Sequence, residues 1–299
     1  MDLNLQSWQL ALNRLVGAYA PNTIKAYYSD VSHFVDWCQR QNFTPFPATG
    51  SEMIDYLENS LAEYSFLTIK RRVYAIRKVT ILLGCEDPTR TEEFNLAYRR
   101  IRRTKPHRPS QSKGINKGLL LRAIAAQPNT LVGIRNRALL SIGYDFLARR
   151  SEISSLQDAD IEFLPDNAIR GIIRRSKTDQ FGRGRLTFGS KRSTKLIKSW
   201  LKKKPEDIPW LFCAINHDRC LDRPLCDRSV NEIIKKSIVR VKGHKPRDWE
   251  ISGHSLRIGA AQDLLIQGHE TIAIMRAGGW RTISAVNGYL QYAEHNVWS

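Results

Sequence analysis

His254 and Arg257 stand three residues apart in the segment SGHSLRIGAAQDLLIQG, residues 252–268. That spacing is close to one helical turn, so both side chains can face one point at a helix start. Free backbone N–H groups at a helix start favour an anion, and a guanidinium offers a planar fork for phosphate oxygens. Downstream come AGGW, ending in Trp280, and NGYL, which carries Tyr289. Upstream, LARRSEI places Arg149, Arg150 and Glu152 just after an apolar run, and Lys177 stands in the polar stretch SKTDQFGRG. Taken singly, each has an ordinary reading. Adjacent arginines and a turn lysine are commonly solvated, and a late tryptophan or tyrosine is commonly half buried in packing. Taken together, in this order along the chain, they do not look accidental. A phenol of pKa about 10 is a poor nucleophile at neutral pH without a base and cationic neighbours.

The elements that must position these residues fall into two parts of unlike charge. The 299 residues carry 47 Lys+Arg against 29 Asp+Glu, a net charge of +18. Residues 1–105 hold 14 basic and 11 acidic side chains, so the excess lies in the remainder. Such a balance points to a polyanion, with nucleic acid ahead of an acidic membrane surface. No stretch of about 18 apolar residues and no signal-peptide pattern is visible, so neither membrane insertion nor secretion is expected, and the expected location is cytoplasmic. The segment TKPHRPSQSK, residues 104–113, is polar and Pro-containing and reads as a linker between a domain over 1–103 and another over 114–299.

The first part reads as helices. One starts at Pro21, a second runs from about Glu52 to Glu63, and a last one covers 92–103. In TIKRRVYAIRKVTILL, Ile69, Val73, Ile76 and Leu83 form an apolar stripe, while Lys70, Arg71, Arg77 and Lys78 recur on another face, with almost no acidic partners expected on that face. That face is a candidate DNA contact, its alternative being a solvated surface. In the second part, helices are expected over 116–126 and 131–147. A β-hairpin pairs Ala168–Arg175 with Arg185–Phe188, and helices follow at 191–203, 228–242, 256–267, 270–277 and 282–293. Five cysteines, Cys38, Cys85, Cys213, Cys220 and Cys226, fit no disulfide framework or zinc spacing and read as reduced thiols, several of them filling cores. Neither a metal cluster nor a Gly-rich phosphate loop is visible, so no metal and no cofactor is expected.

LARRSEI, RRSKTD, SGHSLRIGAA, AGGW and NGYL, in this order, resemble the tyrosine recombinase (phage integrase) family. More loosely, APNTIKAYYSDVSHFVDWC, LTIKRR and RRIRR resemble its core-binding helices. The resemblance implies a mainly α, two-domain, C-shaped DNA clamp: a helical core-binding domain, and an α-rich catalytic domain with a small antiparallel sheet. It implies that Arg149 and Arg257 clamp the scissile phosphate and that Lys177 protonates the leaving 5′ oxygen. His254 would assist proton transfer, Trp280 would donate a hydrogen bond, Tyr289 would be the nucleophile, and Glu152 would orient the pocket. Where the family usually has Gly-Leu-Arg-x-x-Glu, this chain has Leu147-Ala148-Arg149-Arg150-Ser151-Glu152. Arg149 is taken as the family arginine because Glu152 then falls in register.

Thr23, Lys25, Lys70, Arg71 and Arg228 would face DNA by the same resemblance, with a solvated surface as the alternative for each. The implied partner is double-stranded DNA with an inverted-repeat site, bound by a homotetramer on two synapsed sites, with accessory proteins unassigned. Ten residues follow Tyr289, a shorter tail than the subunit-swapped helix of relatives, with Val297 and Trp298 as a candidate docking plug. The readings left open are a type IB topoisomerase, a telomere resolvase, and a non-catalytic repressor on the same fold.

Overall fold

The computed structural model describes residues 7–104, 111–175, 179, 182, 184–247, 250–291 and 293. Two compact units divide the chain, Met1–Pro109 and Ser110–Ser299.

Among the described residues the first unit holds five α-helices: α1 (Ser7–Asn13), α2 (Pro21–Gln41), α3 (Gly50–Leu61), α4 (Phe66–Leu82) and α5 (Glu92–Thr104). Pro21 opens α2, where its missing N–H and fixed φ cost nothing. Thr49 and Glu52 form a reciprocal capping box on α3, and the Ser65 hydroxyl accepts the Thr68 N–H at the start of α4. The core gathers Phe34, Trp37, Met53, Tyr56, Leu57, Ile69 and Ile76. Phe34, Trp37 and Tyr56 meet pairwise with ring centroids 5.0–6.3 Å apart. The short α1 went unread because seven residues show too few turns of periodicity. One expectation needs correction. The basic face of α4 does have acidic partners, supplied by other elements: Arg71 donates two bonds of 2.7 and 2.8 Å to the buried Asp30 of α2, and Arg77 donates one of 2.7 Å to Asp87.

The second unit is built around α7 (Leu131–Asp145), buried on nearly every side, with α6 (Lys117–Ala125) before it and α8 (Arg150–Ser155) after it. A three-stranded antiparallel sheet follows, in the order β1 (Ile161–Phe163), β2 (Ile169–Ile173), β3 (Arg185–Gly189). The register pairs Ile169 with Gly189 and Ile173 with Arg185. Alternate residues of β2 (Ile169, Gly171 and Ile173) face the core. Gly171 lets the sheet close on the end of α7, since a Cβ there would lie 2.4 Å from the Phe146 ring. Next come α9 (Lys191–Leu201), the hairpin of β4 (Cys213–Asn216) and β5 (Arg219–Pro224), α10 (Asp227–Lys242), α11 (Ser255–Ile266), α12 (Thr271–Gly278) and α13 (Ile283–Leu290). The expected hairpin and the helices of this half lie within a few residues of their observed bounds. Unread were the short β1 and β4, the strand β5, whose segment RCLDRP shows no apolar alternation, and the six-residue α8.

Part of the expected linker, residues 105–110, lies outside the described residues. Beyond it, the Lys113 N–H donates to the Glu250 carbonyl at 2.7 Å and the Ile115 N–H to that of Ser255 at 2.8 Å, which ties these residues into the second unit. Cys38 and Cys213 fill the two cores. Among the described residues no helix is long and apolar enough to cross a membrane.

Candidate active site

Arg257 sits one turn into α11 and is fully buried. Its guanidinium lies 3.9 Å from the centre of the Trp280 ring and 5.6 Å from that of Tyr289. The two rings themselves meet edge to face, with centroids 4.9 Å apart. Three of the expected residues, drawn from α11, the loop after α12, and α13, are thus one packed cluster. Arg257 donates to the Leu147 carbonyl, but its Nε and Nη2 and the Trp280 Nε1 are buried without a hydrogen-bond partner among the described residues. A buried donor left unmade costs about 1–3 kcal/mol, so three of them in one cluster mark a place suited to an acceptor-rich anion. Burial, followed by repulsion from Arg149, pushes the Arg257 guanidinium down to about 10. It stays charged at neutral pH.

Leu147 belongs to the turn between α7 and α8 and takes the left-handed backbone, φ +46°. This is the position where the family motif has glycine, which adopts that conformation freely. The leucine holds it because its side chain is buried and its carbonyl is bound by Arg257. Two residues on, Arg149 opens α8 and donates from Nη1 to Glu152 at 2.6 Å, while the Glu152 carboxylate accepts the Arg149 N–H at 3.0 Å. Arg150 turns the other way, with its Nε 3.6 Å from Asp227 and its stem packed over Gly253. The geometry therefore puts Arg149, and not Arg150, against Glu152.

The residue that sequence reasoning missed is Arg185, at the start of β3. Its Nη2 donates to Glu152 at 3.1 Å, so one buried carboxylate holds two arginines. Its Nη1 donates to the carbonyls of Phe146, at 3.1 Å, and of Ala277. Nothing in RGRLTF separates it from the solvated arginines around it; its partners lie 33 to 92 residues away. The glycines of AGGW also find their reasons here. A Cβ on Gly278 would enter the Trp280 ring, and Gly279, at φ +68°, would place one 2.7 Å from Arg185 Cδ.

His254 caps α11, directly before the buried Ser255. The residue reaches solvent, yet protein packed around the ring lowers its pKa below the usual 6.5, helped by repulsion from Arg257, Arg150 and Arg149. It is neutral at physiological pH and free to accept a proton. Lys177 lies outside the described residues. Lys25, Lys70 and Arg228 are exposed and Thr23 is half exposed, while Arg71 spends its guanidinium on Asp30.

Residues 119–296 match the phage integrase family. The chain is 29% identical over 293 residues to an integrase/recombinase xerD homolog of Selenomonas ruminantium, covering 94% of this chain and 84% of the relative. To the recombinase Cre of Escherichia phage P1 it is 27% identical over 291 residues, covering 92% and 85%. In fold it is similar to the XerH site-specific recombinase, solved bound to a palindromic difH substrate, with a TM-score of 0.70 at 17% identity over 91% of this chain and 76% of that one. With the family matched across more than half of its length, the chain belongs to the phage integrase family, the tyrosine recombinases, which cleave and rejoin DNA strands.

Proposed function

We propose that the chain exchanges strands between specific DNA sites with Tyr289 as nucleophile. The observation that carries this reading is the packing of Arg257, Trp280 and Tyr289 into one cluster in which Arg257 Nε and Nη2 and Trp280 Nε1 are buried with no acceptor among the described residues. A phosphodiester supplies those acceptors. Arg149 and Arg257 hold the non-bridging oxygens, and their charge counts most when charge builds on the pentacoordinate phosphorus. The Trp280 N–H adds a third donor. The Tyr289 oxygen attacks phosphorus while its proton passes towards neutral His254; the bond from phosphorus to the 5′ oxygen breaks, and Lys177 protonates that oxygen as it leaves. The product is a 3′-phosphotyrosyl bond, which stores the energy for religation when a 5′-hydroxyl returns. Glu152 fixes the orientation of Arg149. Two arginines and a lysine supply the cationic field that a metal supplies elsewhere, and no nucleotide is consumed.

The domains fall at 1–103 and 114–299 in this reading, the first binding the core of the site and the second cutting it. Two protomers occupy one inverted repeat, and two such sites synapse in a tetramer through a Holliday junction. The test uses a nicked suicide substrate made from DNA beside the gene, with EDTA and without ATP, resolved on a denaturing gel. A covalent adduct with wild type and none with Tyr289→Phe is expected. Retarded DNA with no adduct on a confirmed site would favour a DNA-binding protein that does not cut. An adduct with relaxation but no exchange would favour a topoisomerase.

A further inference from the structure

Arg185 joins three pieces of the pocket that the chain delivers separately. Phe146 closes α7 and leads into the turn carrying Arg149; Ala277 lies in the last turn of α12 and leads into Trp280; Glu152 holds Arg149. The carbonyls of Phe146 and Ala277 sit where helices end, where backbone acceptors lack intrahelical donors and a cation is favoured. One guanidinium takes both carbonyls and the carboxylate. Its planar fork makes that possible, and a lysine ammonium, with one nitrogen, cannot span the same set. The side chain is 13% exposed, so the contacts are shielded from water, and Gly279 leaves room for its stem.

We propose that Arg185 is a positioning residue for strand cleavage, holding the turn of Arg149 and the turn of Trp280 at a fixed separation before DNA arrives. The inference rests on the pocket reading above. Arg185 has its Nη hydrogen bonds committed to protein, so it acts through Arg149 and Trp280 rather than on the phosphate. Misplacement of catalytic groups by about 1 Å lowers rates by as much as about 100-fold, and a loss of roughly 10- to 100-fold is expected when the brace goes.

The experiment measures single-turnover adduct formation by Arg185→Ala and Arg185→Lys across DNA concentrations, at a temperature where melting curves show each variant folded. The expected result is a fall in the saturating rate of about 10- to 100-fold for Arg185→Ala, partial recovery for Arg185→Lys, and an unchanged half-saturating DNA concentration. If Arg185→Ala does not fold, Arg185→Lys carries the same comparison. A melting temperature lowered with the saturating rate intact would make Arg185 a stabilising residue only and overturn the proposal. Rate restored by a substrate with a neutral methylphosphonate at the scissile position would show that Arg185 neutralises the phosphate itself, which also overturns it. Failure of wild type to form any adduct sinks the nucleophile assignment and this inference together. Normal rates in both variants beside an active wild type sink this inference alone.

Discussion

At the residue scale, His254 carries the pH dependence. A histidine whose folded pKa lies below its unfolded value binds fewer protons folded than unfolded. Stability therefore rises with pH across the interval up to 6.5 and is lost as pH falls through it. In the proposed mechanism the same neutral form takes the phenol proton. Adduct formation at sub-saturating DNA, where the rate reports the groups of the free protein, should hold level above pH 6.5 and decline below it, on a limb that His254→Gln lacks. An acid limb centred above 6.5 would contradict the lowered pKa. Trp280 offers a cleaner separation. Trp280→Phe keeps a ring against Arg257 and deletes the N–H, so cleavage should slow by about 100-fold while the melting temperature changes little. Equal losses in rate and stability would make the indole a packing group alone.

At the element scale, α4 divides its basic residues between fold and ligand. Lys70 is exposed and rests 6.0 Å over the Tyr74 ring, whereas Arg71 neutralises a carboxylate that is 2% exposed. Lys70→Ala should leave stability unchanged and flatten the salt dependence of DNA binding by about one phosphate contact. Arg71→Ala should cost about 1–2 kcal/mol in chemical denaturation, because Asp30 loses its main partner while half-exposed Arg71 was itself screened. If both variants changed only the salt slope, the assignment of Arg71 to the fold would fail. What was legible in the sequence followed from length and contrast. The helices α2, α4, α7 and α10 run long enough to show a period, and Pro21 marks the start of α2. Tertiary pairing left no local trace. Asp30 is 41 positions from Arg71 and Glu152 is 33 from Arg185, so a basic face looked unpartnered and a buried arginine looked solvated. Arg149, Glu152, Arg257, Trp280 and Tyr289 were singled out because their motifs carry the order, not because spacing alone places them together.

At the scale of the whole molecule, most of the surplus positive charge lies beyond residue 105, in the unit that holds the pocket. The proposed assembly has a direct check in the mass of the complex. One inverted-repeat duplex should recruit two protomers, and synapsed duplexes four; a single protomer at saturation would rule out the tetramer.

The three buried donors of Arg257 and Trp280 have a consequence for the protein without DNA. A ligand bound only by the folded state stabilises it in proportion to the logarithm of its concentration, by about 2.7 kcal/mol at one hundred times its dissociation constant. The melting temperature thereby becomes a meter of dissolved oxyanion. Millimolar phosphate or vanadate should raise it at matched ionic strength, and should raise it less in Arg257→Lys, so that the choice of buffer salt itself reports whether the pocket is intact.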